Sequence, residues 1–341
     1  MLSTTLEKVR AGQNLGKNEA YACACEIFDK DYSPEFVAEF LGALADKKEA
    51  IFEVLGFVQA MQERMIPLEL GPGPRIDICG TGGSGKARFN VSTAVAFILA
   101  AGGVPVAKHG NRGSKLPNGS FDFIEALGIP LGLSADAQKA LFEEFGLVFL
   151  FARYYHPAVA KVAPARQLLG RPSIFNILGP LCNPAGITHQ LLGTASRERW
   201  KLLAEVLSHQ NMKNAWVICG ADGRDEISLT APTYRYQIRD ENYDLADAID
   251  PKSFCPISID DAALSAGNAD QNAALFHHIL TDRDVLHPVS LWIQLNAAAA
   301  FVVFGTAPDL ATGFELAKQL IGSGKVMTFV SRYLSVVTTL A

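Results

Sequence analysis

Four short apolar runs, separated by segments with helical patterns, constrain the fold of this chain more strongly than any other feature. The runs are "RIDIC" (75–79), "VPVAK" (104–108), "LVFLFA" (147–152) and "AWVICG" (215–220). Continuous apolar runs of this length are typical of strands buried on both faces of a parallel sheet. Their alternation with helical segments predicts an α/β fold with a mainly parallel central sheet flanked by helices. The run "TAPTYRYQIRDENYDL" predicts an antiparallel hairpin added to that sheet.

Residues 4–65 carry only helical patterns. Ser33 followed by Pro34 predicts the start of one helix, because serine caps helix N-termini and proline fits the first helical position. The segment 67–75 holds three prolines and two glycines, which is typical of a linker. We therefore predict a small all-helical domain at 1–72, completed by a segment near 164–190, and an α/β domain at 73–341.

Composition excludes several classes of function. The net charge is −5 with no basic block, which argues against a nucleic-acid or membrane-surface binder, since both need a cationic face. The most apolar stretch, 91–107, is interrupted by Gly102, Gly103 and Pro105 and does not predict a membrane span. The six cysteines form no C-x-x-C pair and show no zinc spacing, so we expect reduced thiols in a cytoplasmic protein without a signal peptide.

The stretch "ICGTGGSGKARFNVST" (78–93) fits parts of two phosphate motifs. A P-loop needs Ser or Thr after its lysine, and Ala87 stands there. The dinucleotide motif needs a helix directly after the glycines and an acid at the end of the next strand. Here the helix is predicted to start near Ser92, and that strand ends in Lys108. The sequence therefore favours neither an ATP loop nor a dinucleotide loop.

A phosphate site of another kind remains, with a ligand-free glycine turn as the alternative. The loop follows a predicted strand and so emerges at the carboxyl edge of the sheet, where open α/β sheets bind ligands. Its glycines expose backbone amides, and Ser92 is predicted to cap the following helix. The next strand runs into Lys108, His109, Asn111 and Arg112, which suit an anion site better than a core. For His109 alone, a structural histidine is an equal alternative.

These motifs carry a resemblance to a known family. The patterns are "GTGG-G----FN-ST", "KHGNR", "GS-D--EALG", "YHPAVAKVAPARQLLGRPSIFNILGPLCNPAG" (155–186), "GADGRDEIS" (220–228), "NADQNAALFHHIL" (268–280) and "LNAAAAFVVFG" (295–305). Together with the N-terminal helices, they resemble anthranilate phosphoribosyltransferases over almost the whole chain. Thymidine phosphorylases share the expected nucleoside phosphorylase/phosphoribosyltransferase-like fold but lack these motifs.

The resemblance implies transfer of a phosphoribosyl group from phosphoribosyl pyrophosphate (PRPP) to anthranilate in tryptophan biosynthesis, with Mg²⁺ and a homodimer formed through the helical domain. The implied PRPP positions are Gly80, Gly82, Gly83, Ser84, Arg88, Asn90, Val91, Ser92, Thr93, Lys108, Lys115 and Ser120. The implied anthranilate positions are Asn111, His156 and Arg166. The implied Mg²⁺ ligands are Ser92, Asp225 and Glu226, and His109 is the candidate general base.

Two of these assignments also have support from the residues themselves. Asp225 and Glu226 follow a predicted strand, and adjacent acids there suit Mg²⁺ bridged by a substrate phosphate; a solvated turn is the alternative. Arg166 lies on a helix predicted from Pro157 to Leu169, on the same side as its apolar residues Val159, Val162 and Ala163. An arginine there needs an anion, which is either a substrate carboxylate or an internal salt-bridge partner.

The chain departs from the family pattern in its phosphate loops. Ser84 replaces an acid, Arg88 replaces a threonine, and Lys115 and Leu116 replace paired serines. Either the added cations keep PRPP bound, or the site has drifted toward weak activity, another aromatic amine or a nucleoside. The intact "KHGNR" motif and acid pair favour retained phosphoribosyl transfer. Arg224 also stands where an apolar residue is usual, and the sequence offers no reason for it.

Overall fold

A seven-stranded sheet forms the centre of the computed structural model, which describes residues 2–82, 89–113, 117–255, 259–265 and 267–340. The strands are β1 (Ile76–Gly80), β2 (Val106–Gly110), β3 (Leu147–Phe151), β4 (His189–Gly193), β5 (Asn214–Gly220), β6 (Thr233–Arg239) and β7 (Asn242–Ile249). Their order is β3-β2-β1-β4-β5-β6-β7. The first five are parallel, and β6 and β7 add an antiparallel hairpin, so the predicted fold class and hairpin are confirmed.

Four helices precede the sheet, as the N-terminal pattern predicts. They are α1 (Leu2–Arg10), α2 (Lys17–Asp29), α3 (Pro34–Lys47) and α4 (Ile51–Gln62). Ser33 caps α3, because its Oγ accepts a hydrogen bond from the Phe36 amide at 3.3 Å. The core of these helices also takes in apolar side chains of α9 (Pro157–Leu169) and α10 (Phe175–Leu181). Later segments of the chain thus pack with the N-terminal helices.

The remaining helices cover the two faces of the sheet. They are α5 (Val91–Ala101), α6 (Ser120–Ala126), α7 (Ala135–Phe145), α8 (Ala152–Tyr155), α11 (Arg197–Ser208), α12 (Ala269–Asp282), α13 (Pro288–Phe304), α14 (Leu310–Gly322) and α15 (Lys325–Val337). Successive strand residues point to opposite faces, so Ile78 packs with α5 and α13 while Cys79 packs with the helical core. Among the described residues, no helix is long and apolar enough to cross a membrane.

Two local predictions are wrong. The helix after the glycine loop begins at Val91 with Asn90 as its N-cap, so Ser92 is its second residue and does not cap it. The Asn90 carbonyl oxygen already accepts the Ala94 amide, which sets the helix start earlier. On α9, Val162 is buried but Ala163 is exposed, and Arg166 is half-buried at the edge of the packed face. The buried face of α9, which includes Val162 and Ala165, is therefore rotated around the helix axis from the face predicted from the sequence.

Candidate active site

Glycines end four neighbouring parallel strands at one edge of the sheet. They are Gly80 of β1, Gly110 of β2, Gly193 of β4 and Gly220 of β5. A Cβ at Gly80 would overlap the Asp225 carboxylate, and a Cβ at Gly193 would overlap the Asp225 backbone. The absence of side chains lets the connecting loops approach the strand ends closely. Most of the predicted site residues are in or beside these loops.

Asp225 reaches the first turn of the glycine loop. Its Oδ2 accepts a hydrogen bond from the Gly82 amide at 2.9 Å, and the carboxylate is buried. Glu226 follows it along the chain and is half-buried. The structure therefore brings Asp225, the first residue of the predicted acid pair, to Gly80 and Gly82. The predicted residues Gly83, Ser84 and Arg88 lie outside the described residues.

Lys108 lies beside the same strand end. Its Nζ donates to the Ile78 carbonyl oxygen and to Ser92 Oγ, 3.4 Å away, and only 1% of the residue is exposed. Burial lowers the pKa of Lys108, an effect that the nearby Asp77 carboxylate opposes. A buried ammonium next to a serine hydroxyl at a helix start is a suitable anion contact. The structure thus brings Lys108 and Ser92 together.

Asp77 is a site residue that sequence reasoning missed. It is fully buried, and its oxygens accept the His109 amide at 3.2 Å and Asn183 Nδ2 at 2.9 Å. Asn183 Nδ2 also donates to the Ala107 carbonyl oxygen at 2.8 Å. Burial raises the pKa of Asp77, and Lys108 and these hydrogen bonds oppose that rise. The signal in the sequence was an acid in the middle of the apolar run "RIDIC".

A second missed residue, Asn272 of α12, orients the start of α5. Its Oδ1 accepts the Asn90 backbone amide at 2.8 Å, and Asn272 is fully buried. The Asn90 side chain donates in turn to Asn118 Oδ1 at 3.0 Å. Val91 and Thr93 are buried immediately after Asn90. Asparagine side chains therefore join the start of α5, which carries predicted PRPP residues, to α12 and to the segment before Ser120.

The second predicted phosphate loop closes on Asp122. The Asp122 carboxylate accepts hydrogen bonds from the Gly113 amide at 2.8 Å and the Gly119 amide at 2.7 Å, and it also forms an ion pair with Arg112. Ser120 Oγ donates to the Asn111 carbonyl oxygen at 3.1 Å, which places both predicted residues at the end of β2. Lys115 and Leu116 lie outside the described residues. The carboxylate thus fixes the two ends of this loop.

Two buried histidines, His109 of β2 and His156 between α8 and α9, pack against each other. The rings of His109 and His156 are edge to face with centroids 5.0 Å apart, and both side chains are buried. Burial lowers the pKa of His109 to about 3 and that of His156 to about 4. His109 Nδ1 donates to the Gly179 carbonyl oxygen at 3.2 Å, which leaves Nε2 without a hydrogen-bond partner in the described part of the chain. A histidine with so low a pKa is a poor proton acceptor at neutral pH.

Arg166 is a half-buried cation. Its guanidinium carbon lies 5.8 Å from the centre of the Phe175 ring. Among residues 2–82, 89–113, 117–255, 259–265 and 267–340, the salt bridges include none with Arg166, and burial lowers its pKa. The internal salt bridge left open by the sequence is therefore not found there. Within the same ranges, no hydrogen bond joins Arg166 to Asn111, which is exposed at the end of β2.

The oxygen donors at this edge fit Mg²⁺. The described residues hold no group of three His, Cys, Asp or Glu side chains that could bind a metal ion alone. Mg²⁺ is usually bound through one or two carboxylates together with water and substrate phosphates. Asp225 and Glu226 supply carboxylates, and Ser92 supplies a hydroxyl beside Lys108. The chemistry of this donor set suits a divalent ion shared with a phosphate ligand.

Comparisons with known proteins identify relatives with the same domains and fold. Residues 73–327 match the α/β domain of a glycosyl transferase family, and residues 3–65 match the helical bundle domain of a glycosyl transferase family. Anthranilate phosphoribosyltransferase from Thermomicrobium roseum is 40% identical over 97% of this chain and 96% of its own length. The crystal structure of anthranilate phosphoribosyltransferase from Thermus thermophilus matches with a TM-score of 0.89 and 35% identity, over 98% of this chain and 99% of that one. The Saccharomyces cerevisiae protein of that name, in complex with PRPP and Mg, has a similar fold, with a TM-score of 0.90 and 22% identity over 99% and 98% of the chains.

Proposed function

This chain belongs to the anthranilate phosphoribosyltransferase family, and from that membership we infer how the glycine-ended edge of its sheet works. The enzyme transfers the phosphoribosyl group of PRPP to the amino group of anthranilate, a step of tryptophan biosynthesis. The products are N-(5-phosphoribosyl)anthranilate and pyrophosphate. The observation that carries the assignment of sites is the hydrogen bond from the Gly82 amide to Asp225, which joins the glycine loop to the acid pair.

We propose that PRPP binds along the strand ends. The pyrophosphate would contact the glycine loop at Gly80, Gly82 and Gly83, where the Gly82 amide already donates to Asp225, and the ammonium of Lys108. Further proposed contacts are Ser84, Arg88, Asn90, Val91, Ser92, Thr93, Lys115 and Ser120. Negative charge develops on the leaving pyrophosphate while the ribose carbon becomes electron-poor, so fixed cations and amides at the diphosphate lower the barrier.

Asp225, Glu226 and Ser92 are the proposed ligands of Mg²⁺. The ion, when bound, would neutralise charge on the leaving diphosphate. The Gly82 amide holds Asp225 against the glycine loop, which supports a role for this carboxylate beside the phosphates. The protein would thus orient the Asp225 carboxylate before the substrate binds.

On the acceptor side, we propose that Arg166 binds the anthranilate carboxylate and that Asn111 and His156 complete the pocket. Arg166 has a desolvated guanidinium and no carboxylate partner in the described residues, which supports a role in binding a ligand anion. The lowered pKa of His109 does not support the general-base role suggested by the sequence. A neutral His109 instead can position the acceptor, whose aniline nitrogen needs orientation more than a strong base.

The domain division and the dimer remain proposals. The match to the helical bundle domain ends at residue 65 and the match to the α/β domain begins at residue 73, which supports a boundary between 1–72 and 73–341. Apolar side chains from 164–190 pack with the helical domain, which supports the proposal that this segment completes it. We propose a homodimer through the helical domain, where α1, α3 and α9 line a groove of about 790 Å³ beside the exposed Leu168. None of the six cysteines is in a disulfide among the described residues, which supports a reducing compartment, and we propose the cytoplasm.

The test is a fluorescence assay. Incubating the protein with PRPP, Mg²⁺ and anthranilate should change anthranilate emission as the product forms. The Asp225→Asn, Glu226→Gln double variant should lose both activity and Mg²⁺ dependence. If wild type leaves anthranilate unchanged but consumes another aromatic amine or a nucleoside with phosphate, the acceptor assignment is wrong. If the double variant stays active and Mg²⁺-dependent, the metal assignment is wrong.

A further inference from the structure

The acid pair lies in a segment with no helix or strand of its own. Between the end of β5 at Gly220 and the start of β6 at Thr233, the backbone forms only turns and irregular structure. Side chains that flank the pair therefore help to fix it, in addition to the hydrogen bond from the Gly82 amide to Asp225. The contacts on the two sides of the pair show which side chains do so.

Arg224, directly before the pair, is buried and held on three sides. Its Nε donates to Asp222 Oδ2 at 3.1 Å, and its Nη2 donates to Asp261. Its guanidinium carbon lies 4.7 Å from the centre of the Trp292 ring on α13. Only 2% of Arg224 is exposed, so nearly its whole side chain is removed from water. A buried guanidinium is stable only when carboxylates and an aromatic face replace its hydration.

Ile227, directly after the pair, is held by the same turn of α13. Its amide donates to Asn296 Oδ1 at 2.9 Å. Its carbonyl oxygen accepts Trp292 Nε1 at 2.7 Å and Asn296 Nδ2 at 3.0 Å. Trp292 and Asn296 are one helical turn apart and buried, so both flanks of the acid pair rest on one rigid surface.

We propose that Arg224 is a positioning residue for the acid pair. It closes the turn before Asp225, since its amide donates to Asp222 Oδ1 and its carbonyl oxygen accepts the Gly220 amide. Its guanidinium then ties that turn to the Trp292 ring and to Asp261. This gives a physical reason for the arginine at position 224, for which the sequence alone offered none. The inference rests on the proposed role of Asp225 and Glu226 as Mg²⁺ ligands.

The experiment compares Arg224→Leu with Arg235→Leu. Arg235 of β6 is half-buried and, like Arg224, lies over a tryptophan, with its guanidinium carbon 4.3 Å from the Trp216 ring; among the described residues, no hydrogen bond or ion pair joins it to residues 221–232. Mn²⁺ binding in the presence of PRPP is measured by electron paramagnetic resonance, and the Mg²⁺ concentration for half-maximal rate by the fluorescence assay. Melting temperatures are recorded for every variant.

Arg224→Leu should weaken Mn²⁺ binding and raise the Mg²⁺ requirement by about tenfold, as is usual when an outer support of a metal ligand is removed. Its KM for anthranilate should stay within about twofold of wild type, and Arg224→Lys should show a smaller metal defect. Arg235→Leu should lower the melting temperature without changing Mn²⁺ binding. Equal Mn²⁺ binding by wild type, Arg224→Leu and Arg235→Leu would overturn the proposal.

Two further variants keep the outcome interpretable. If Arg224→Leu does not fold, Asp261→Asn removes one carboxylate partner and should weaken Mn²⁺ binding by about threefold; unchanged binding there would overturn the proposal. The Asp225→Asn, Glu226→Gln variant should bind no Mn²⁺ at this site. If it binds Mn²⁺ as wild type does, the proposed metal site fails, whatever Arg224 does.

Discussion

The phosphate side and the acceptor side of the candidate site are built differently. On the phosphate side, loop amides and side chains already have protein partners: Gly82 with Asp225, Asn90 with Asn272, and Gly113 with Asp122. On the acceptor side, His109 Nε2 and the Arg166 guanidinium are desolvated and lack such partners in the residues that the structure describes. Under the proposed roles, the protein itself holds the phosphate-side loops in place, whereas the polar groups of the acceptor side would gain their partners from a ligand.

The largest expected effect follows from adding one methyl group to the phosphate side. In Gly193→Ala, the new Cβ would overlap the Asp225 backbone, which has no flexible side chain to move. We expect kcat/KM for PRPP to fall by about 100-fold, the scale of a misplacement of about 1 Å in a catalytic group. Steady-state kinetics at saturating anthranilate measures this.

The control for that variant is Gly322→Ala at the end of α14. There the nearest atom, Val285 Cγ1, is 3.4 Å from the new Cβ, so the site should be unaffected. A wild-type rate for Gly193→Ala would show that the strand ends are not packed against the acid pair as described.

Removal of Arg166, the cation on the acceptor side, should have the next largest effect. Arg166→Ala should raise the KM for anthranilate by about 30-fold, the value of a lost charge-assisted hydrogen bond of about 2 kcal/mol. The KM for PRPP should change by less than about twofold, and the melting temperature should change little because the described part of the chain contains no ion pair that this substitution would break. Arg171→Ala, which breaks the exposed pair with Asp46, is the control and should leave both KM values unchanged. Equal loss for the two substrates would remove the distinction between the two sides.

A smaller change is expected when one fixed partner on the phosphate side is removed. Asn272→Ala leaves the buried Asn90 amide without its acceptor, so we expect a loss of about 1–3 kcal/mol in stability. The KM for PRPP should rise by about fivefold, while the KM for anthranilate stays constant. Asn214→Ala, which removes a hydrogen bond to the Val303 carbonyl oxygen at the far end of the sheet, should lower stability without a change in KM for PRPP. A purely structural role for Asn272 would make the two variants alike.

The smallest effect is a pH dependence of stability on the acceptor side. Burial lowers the pKa of His156 to about 4, whereas an unfolded histidine has a pKa of about 6.5. The unfolded chain therefore binds more protons, and the folded protein loses stability as pH falls from about 6.5 to 4. At pH 5 this histidine costs about 2 kcal/mol relative to pH 7.

His156→Gln removes that titrating group, so the free energy of unfolding should fall less between pH 7 and 5 than in wild type. Urea unfolding at the two pH values measures the difference. His278→Gln, at an exposed position on α12, should behave as wild type does. If His156→Gln and wild type lose the same amount, His156 is not a buried neutral histidine.

Most of the fold could be predicted from the sequence because its signals are local. The apolar runs predicted β1, β2, β3 and β5, and Gly170 in a left-handed conformation ends α9 at Leu169, as predicted. The strand β4 was missed because "HQLLG" is short and begins with polar residues. Ser92 was wrongly chosen as a cap because capping depends on backbone geometry at Asn90, which residue type alone does not specify.

Site residues that belong to a sequence motif could be predicted, whereas contacts between segments far apart in the chain could not. Lys108, Ser92 and Asp225 came from motifs, and the structure places them at one edge of the sheet. Asn272 is far along the chain from Asn90, and Trp292 is likewise far from Arg224. Such contacts depend on which helices lie side by side, so a single sequence contains no pattern for them.

The four glycines at the strand ends have a consequence for how this enzyme can change over time. The main chain at these strand ends presents the same amides and carbonyl groups whatever the neighbouring side chains are, and a side chain added at Gly80 or Gly193 collides with Asp225, so the sheet itself leaves little room for variation. New substrate preferences are therefore expected to arise in the surrounding loops, which include Ser84, Arg88, Lys115 and Leu116, the positions that depart from the motif pattern.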